Sequence, residues 1–489
     1  MTIFKFKKEV FFLAALVLLY FASRLINLGA VPIFTDEAIY LHWSQAIASD
    51  LKFLYLPLSD GKPPLFMWAT AGVMAGFPNI DPLYAGRLVS VFSGFVAMLG
   101  IFFTSFQFFK SKRISYLSSL LYIVTPFTFF YDRFGLSDSM LTMLAIWALG
   151  LGVVLAKTLS LRVAVILGVV IGLEWLTKTP ALFSLVFLIP LVIFVKNGRG
   201  RVFALLIVTF VISRLIYSLL FLFPQAYVIS LKSQEFLVGV AEFLRNPFSL
   251  LFGNAKSLIN WEVSYLTLPL IAPLVLGIAA KFRDFWKEKL ILAGYFAAYF
   301  IFLALFNKVI YPRYLLLFTP GLLILVAVGM DKIIQRFEKK LIVVLLLLSV
   351  VLFLPLYTDY QLTTNPAYAP IADNDSEQYL NSWPAGWGVR EINNFFRQQC
   401  KDNNKINIGT EGTFGLMPYS LELYQKDHPC LVVYSYWPPP GTLPEGLDYY
   451  LIYQREKTPD YDGKMELVSS YQQGKSQHFL KLYRIVPKS

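Results

Sequence analysis

The chain reads as a mainly α, polytopic membrane protein of about eleven transmembrane helices, with interfacial helices in its outer loops and a small C-terminal α/β soluble domain. Three observations predict this class. Of 489 residues, 56% are hydrophobic and 17% aromatic, and only 15% carry charge, well below the ~25% of soluble domains. Long apolar runs recur up to about residue 357 and then cease. The basic residues gather in alternate gaps between those runs, as they do on the cytoplasmic side of membranes. The apolar content excludes disorder, and two cysteines exclude a disulfide scaffold.

Crossing a hydrocarbon core about 30 Å thick takes roughly 18 or more apolar residues. Such runs lie near 9–28, 84–109, 114–131, 138–156, 161–177, 180–195, 202–223, 263–280, 289–306, 313–330 and 341–357. The first follows Lys5, Lys7 and Lys8 and reads as a retained span rather than a cleaved signal. It is long, it keeps Arg24, and no small-x-small site follows it. With a cytoplasmic N-terminus, nineteen basic residues fall in six short inner segments: Lys5–Lys8, Lys110–Arg113, Lys157–Arg162, Lys196–Arg201, Lys281–Lys289 and Lys332–Lys340. An odd number of spans then places the C-terminus outside. The chain divides accordingly into a membrane domain, 1–357, and an extracytoplasmic α/β domain, 358–489. The net charge of +12 is thereby a topology signal, with some contact to anionic membrane lipids, and no nucleic-acid partner is expected.

Two outer loops are long, 29–83 and 224–262. Each holds an amphipathic stretch suited to the interface, Ala38–Ala48 and Leu237–Leu244. After Tyr357 a polar, Asn/Asp/Pro-rich linker leads into the soluble part. There Gly388–Gln399 has a helical pattern, and 405–409, 431–435, 448–453 and 479–485 read as strands, so a small α/β module is expected. Cys400 and Cys430 both fall in it; the sequence leaves open whether they are bonded or free.

The scarce charges of the outer loops carry the chemistry. PIFTDEAIY (32–40) sets Asp36 and Glu37 directly after a span. An acid there caps an interfacial helix, and a partly desolvated one can also act as a general base. In SDGKPPLFMW (59–68), Pro63 and Pro64 hold Lys62 in an ordered turn, where an ammonium suits a phosphate oxygen; a lysine snorkelling to headgroups is the plainer reading. YDRFGLSDSML (131–141) supplies Asp132, Arg133 and Asp138, either as an acidic site or as an Asp–Arg structural clamp. Lys178 in WLTKTP (175–180) sits in an outer turn against the positive-inside trend, which points to an anionic partner. Lys308, Tyr311, Arg313 and Tyr314 in NKVIYPRYLLLFTPG (307–321) could hold a phosphate and a sugar face, or form an aromatic belt. All five clusters fall on one membrane face.

Taken in order, TDEAIY, GKPPLF, AGRLVSVFSG (85–94), DRFGLSD, WLTKTP and PRYLLLFTPG resemble the GT-C superfamily of membrane glycosyltransferases, over about 5–330. Within it the chain most resembles the branch of protein O-mannosyltransferases and lipid A aminoarabinose transferases, and GTEGTFG (409–415) is similar to segments seen there. The resemblance implies a polyprenyl-phosphate sugar donor and inverting transfer on the outer face to a lipid, glycan or protein hydroxyl. It implies that Asp36 is the catalytic carboxylate with Glu37 beside it, and that Lys62 meets the donor phosphate. Arg313 and Tyr314 match the RY pair near that site, joined on the residue reading by Tyr311 and Lys178; Asp138 matches an acidic position of less settled role. The chain departs from relatives that carry a WWDYG motif or a MIR-type repeat domain, which disfavours transfer of a whole oligosaccharide to asparagine and puts a protein acceptor in doubt.

The chemistry agrees with that expectation. A polyprenyl phosphate leaves readily once basic residues stabilise its charge, and an acceptor hydroxyl needs a base to take its proton. No metal is required when Lys62 and Arg313 supply positive charge, although an Asp-based divalent site stays open. The alternative reading is a transporter or flippase of a lipid-linked sugar. Such proteins place ionisable groups near the bilayer midplane in repeated halves, and here they sit at the outer ends without a visible repeat.

Overall fold

The computed structural model describes residues 2–195, 197–279, 285–402, 405–455, 461 and 465–486, with side chains from Glu9 onward, Asp402 apart. The side chains of Lys5, Lys7 and Lys8, and all of Lys196, Lys281 and Arg283, invoked above for the inner loops, lie outside the described residues.

Helix α1 (Thr2–Leu25) leads through the short strand β1 (Ile33–Phe34) into α2 (Thr35–Ser49) and α3 (Leu65–Gly76). Then follow α4 (Pro82–Phe109), α5 (Lys112–Val124), α6 (Pro126–Tyr131), α7 (Asp138–Thr158) and α8 (Leu161–Thr177). A single turn, α9 (Leu182–Val186), stands between 3-10 segments and precedes α10 (Arg199–Ser218). The loop 224–262 contributes α11 (Tyr227–Phe236) and α12 (Val240–Arg245). The membrane part closes with α13 (Leu251–Leu266), α14 (Leu268–Ala279), α15 (Trp286–Phe306), α16 (Thr319–Arg336) and α17 (Leu341–Thr364).

Among the described residues, five helices are long and apolar enough to cross a membrane: α4, α7, α10 with its extension to Leu222, α15 and α17. The α13–α14 pair makes a sixth if it is one span bent by 101°. The expected count of about eleven spans is thus not reached by helices of that length among the described residues, although helix covers all or part of every expected run. Proline explains most of the difference, because it removes a backbone donor and clashes with the preceding turn. The run 114–131 breaks at Pro126, and 180–195 falls into short pieces around Pro180 and Pro190. The run 263–280 turns at Thr267, whose φ is +64°, and 313–330 begins as a 3-10 segment, Pro312–Leu317, before α16. Broken helices of this kind are tolerated in a membrane where protein surrounds them. Close packing comes from small residues: Gly277 and Gly329 let α14 and α16 approach until an added Cβ on either would meet the opposing backbone oxygen within 2 Å, at 1.9 and 1.8 Å.

α17 continues through 357/358 to Thr364, with Thr358 and Asp359 buried. A single turn, α18 (Asp373–Asp375), then leads to β2 (Ala385–Gly386), which pairs antiparallel with β1. The remaining elements are α19 (Val389–Gln399), β3 (Ile406–Glu411), α20 (Leu416–Glu422), β4 (Leu431–Tyr436), β5 (Tyr449–Ile452), β6 (Met465–Gln472) and β7 (Phe479–Ile485). Five strands form one sheet in the order β4-β3-β5-β7-β6, with β3 parallel to β4 and β5 and β7 antiparallel to β5 and β6. α19 buries Val389, Ile392 and Phe396, one face of a helix at 3.6-residue spacing. Cys400 and Cys430 form a disulfide with their α-carbons 5.5 Å apart, which closes the question the sequence left open.

Candidate active site

Two segments distant in sequence fix the first turn of α2. Strand β1 pairs with β2, and the backbone N–H and the hydroxyl of Thr35 each donate to the Pro384 carbonyl at 3.1 Å. Asp36 and Glu37 follow at once, and successive helix positions face different surroundings.

Glu37 points inward and is fully buried. Arg87 of α4 donates to both of its oxygens at 2.9 Å, the Gly135 N–H donates to Oε1 at 2.7 Å, and the Phe34 N–H donates to Oε2 at 3.3 Å. Arg87 also donates to the carbonyls of Leu28, Val31 and Pro32. The expectation of a catalytic Glu37 is thus corrected. Both of its oxygens are engaged, and its bonds tie α2 to α4 and to the 134–137 turn.

Asp36 points the other way and is 23% exposed. Arg313 donates to Asp36 Oδ2 at 2.8 Å, and the same Nη1 lies 3.4 Å from the Tyr379 hydroxyl. Burial pushes the Asp36 carboxyl up, but Arg313 and then Lys62 outweigh it and hold the group below its ordinary range. Lys62 is held above the usual ammonium range by the Tyr40 oxygen and, against burial, by Asp36. Lys178 donates to Asp138 at 2.7 Å and lies 5.6 Å from the Tyr314 ring; burial lowers its pKa in spite of Asp138. Tyr311 stacks under the Arg313 guanidinium at 5.1 Å and meets Tyr314 edge-on.

Lys62, Lys178 and Tyr314 line a cavity of about 350 Å³ whose other walls include Phe183, Tyr299 and Phe302. Its lining is thus both cationic and aromatic, and Asp60 and Lys232 also contribute to it. Seven of the residues singled out in the sequence converge on this region: Asp36, Lys62, Asp138, Lys178, Tyr311, Arg313 and Tyr314.

Asp132 and Arg133 do not join them, and they do not clamp each other. Asp132 pairs with Arg24 of α1 at 3.4 Å and accepts from the hydroxyls of Tyr20 and Tyr122 at 3.2 Å. Arg133 donates to the carbonyls of Ser23 and Arg24 in the last turn of α1 and of Ile26 and Asn27 just past it. The pair is structural, and it anchors the end of the first helix.

Sequence reasoning missed four participants. Tyr40 lies four residues after Asp36, on the same helix face, and that spacing could have found it. Arg87 is an arginine inside an apolar run, itself a signal of a buried partner. Tyr379 and Asp375 sit in the linker after Thr364 without any local pattern. Asp375 accepts from the hydroxyls of Tyr131 and Tyr265 and seats the linker on the membrane helices. Among the described residues, no group of three or more His, Cys, Asp or Glu is placed to hold a metal ion.

Residues 61–227 match the family model described as dolichyl-phosphate-mannose-protein mannosyltransferase. No curated protein sequence matches the chain. In fold, the chain is similar to ArnT from Cupriavidus metallidurans bound to undecaprenyl phosphate, with a TM-score of 0.60 and 16% identity over 99% of both chains. It is similar also to the apo state of that protein, with a TM-score of 0.62 and 14% identity over 99% of this chain and 100% of the other. The family match over residues 61–227 and the whole-chain likeness agree: the chain has a fold similar to that of ArnT, with a segment similar to the mannosyltransferase family model.

Proposed function

We propose that the protein transfers a monosaccharide from a polyprenyl-phosphate donor to a hydroxyl acceptor at the outer membrane face, with inversion. The observation that carries this reading is the Asp36–Arg313 pair beside a cavity lined by Lys62 and Lys178 and by aromatic side chains. The acceptor oxygen attacks the anomeric carbon, the bond from that carbon to the phosphate oxygen breaks, and Asp36 takes the hydroxyl proton. The departing polyprenyl phosphate carries charge that Arg313 and Lys62 stabilise, so the leaving group needs no metal. The aromatic wall suits the first isoprene units of the lipid.

Donor binding also prepares the base. In the free site Arg313 and Lys62 hold Asp36 low and therefore weakly basic. A phosphate that draws on both cations reduces their pull, and the basicity of Asp36 rises when a donor is present to react. The disulfide supports an oxidising compartment for the C-terminal module, in keeping with an inner N-terminus and an outer C-terminus.

The test is sugar transfer by purified protein from labelled polyprenyl-phosphate donors. Asp36→Asn is expected to lower turnover by about 10²–10⁴-fold with donor binding retained. Full turnover in Asp36→Asn would remove the assigned base, and donor movement across vesicles without transfer would favour a flippase.

A further inference from the structure

In the C-terminal module, β3 lies between β4 and β5 and runs parallel to both, so the chain leaves β3 on one side and returns on the other. In α/β sheets the carboxyl ends of strands at such a reversal open a crevice where ligands bind. Here Glu411 ends β3 and is fully buried; its Oε1 forms an ion pair with Arg455 Nε at 2.8 Å, yet neither oxygen has a well-aligned hydrogen-bond partner among the described residues. A buried carboxylate oxygen without a partner is unfavourable unless something enters to complete it. Arg455 is 30% exposed, so the pair is reached from outside.

The loop that leaves β3 runs toward the start of α2. Gly412 adopts φ +87° against the Tyr453 hydroxyl, and the loop runs on to Gly415, where an added Cβ would stand 3.1 Å from Thr35 Cγ2. From the other side, Trp383 precedes Pro384, the residue that accepts both Thr35 bonds. Phe414 and Trp383, 45% and 37% exposed, thus flank the neighbour of Asp36, and Trp383 stands 6.3 Å from the Tyr453 ring.

We propose that this crevice is the acceptor subsite and that its ligand is a saccharide; the proposal rests on the transfer reading given above. A sugar ring offers an apolar C–H face to Trp383 and Phe414 and hydroxyls to the Glu411–Arg455 pair, which supplies both acceptor and donor atoms. A peptide could add as a strand only at the free edges of β4 or β6 and not alongside Glu411, because β3 is paired on both sides. A simple lipid alcohol would leave the buried charge pair without use.

Saturation-transfer NMR on the full chain in nanodiscs tests this, with mannose-, glucose- and glucosamine-based disaccharides, a Ser/Thr peptide and farnesol as probes. A disaccharide is expected to bind, and Trp383→Ala, Phe414→Ala and Glu411→Gln each to weaken it by about tenfold or more, while undecaprenyl phosphate still binds. In transfer assays the same variants should raise the acceptor KM far more than they lower kcat. Preference for the peptide or farnesol, no disaccharide binding at millimolar concentration, or disaccharide affinity indifferent to all three variants would overturn the proposal. Loss of undecaprenyl phosphate binding by the unmodified protein would instead sink the transfer reading.

Discussion

At position 36 a carboxylate meets an arginine it can exchange for another partner; at position 37 one meets an arginine it cannot. The Glu37–Arg87 pair is fully buried and carries no exposed atom to compensate a loss. Glu37→Gln leaves the Arg87 charge stranded, and a drop of about 3–5 kcal/mol in stability is expected, read as a lower thermal midpoint. Asp36 predicts a pH effect instead. Its pKa is lowered in the free protein, so the carboxylate and its pairing persist above the ordinary value of 3.8 and are lost only as pH falls through the lowered value. The donor kcat/KM should therefore stay flat down to about pH 5, while the acid limb of kcat lies higher because bound phosphate occupies Arg313 and Lys62. Coincident limbs in the two profiles would refute that coupling. Asp36, Lys62, Lys178 and Arg313 were legible in the sequence because charge is scarce where they stand. The division of labour between Asp36 and Glu37 was not, since it depends on which way one helix turn faces.

Elements were legible where local pattern decides them. Four strands of the sheet are short apolar and aromatic runs and α19 follows a 3.6-residue pattern, and the observed ranges overlap those expected. β6 was missed because its side chains are mostly exposed, so MELVSSYQ shows no regular inner face. The spans erred in the opposite direction: an apolar run says that a segment is in the membrane, and not that its backbone stays straight through Pro126, Pro180 or Thr267. The Cys400–Cys430 bond ties the end of α19 to the start of β4 across a separation of 30 residues. Cys400→Ser should lower the stability of the α/β module by about 2–4 kcal/mol, seen as earlier proteolysis of the module than of the membrane helices. Equal proteolysis rates with and without the bond would show that it adds nothing.

On the scale of the whole molecule, Asp36 is held by both parts of the chain. The β1–β2 ladder joins Ile33 to Gly386 and Phe34 to Ala385, and an added Cβ at Gly386 would stand 2.6 Å from the Ile33 carbonyl oxygen. Gly386→Val should part the ladder and shift the first turn of α2. A displacement near 1 Å at Asp36, the proposed base, is expected to lower turnover by about 100-fold, with undecaprenyl phosphate binding kept. Unchanged turnover in that variant would mean that the C-terminal module does not position Asp36.

The anchoring of α1 has a consequence for how the protein is made. Arg24 is completely buried, yet its partners Tyr122, Ile123 and Asp132 are 98 to 108 residues further along the chain. At ribosomal speeds those residues arrive on the order of ten seconds later. Until then the first helix must wait with its guanidinium drawn up among lipid headgroups. The helix that enters the bilayer first thus reaches its final depth only once residues 122–132 have been made.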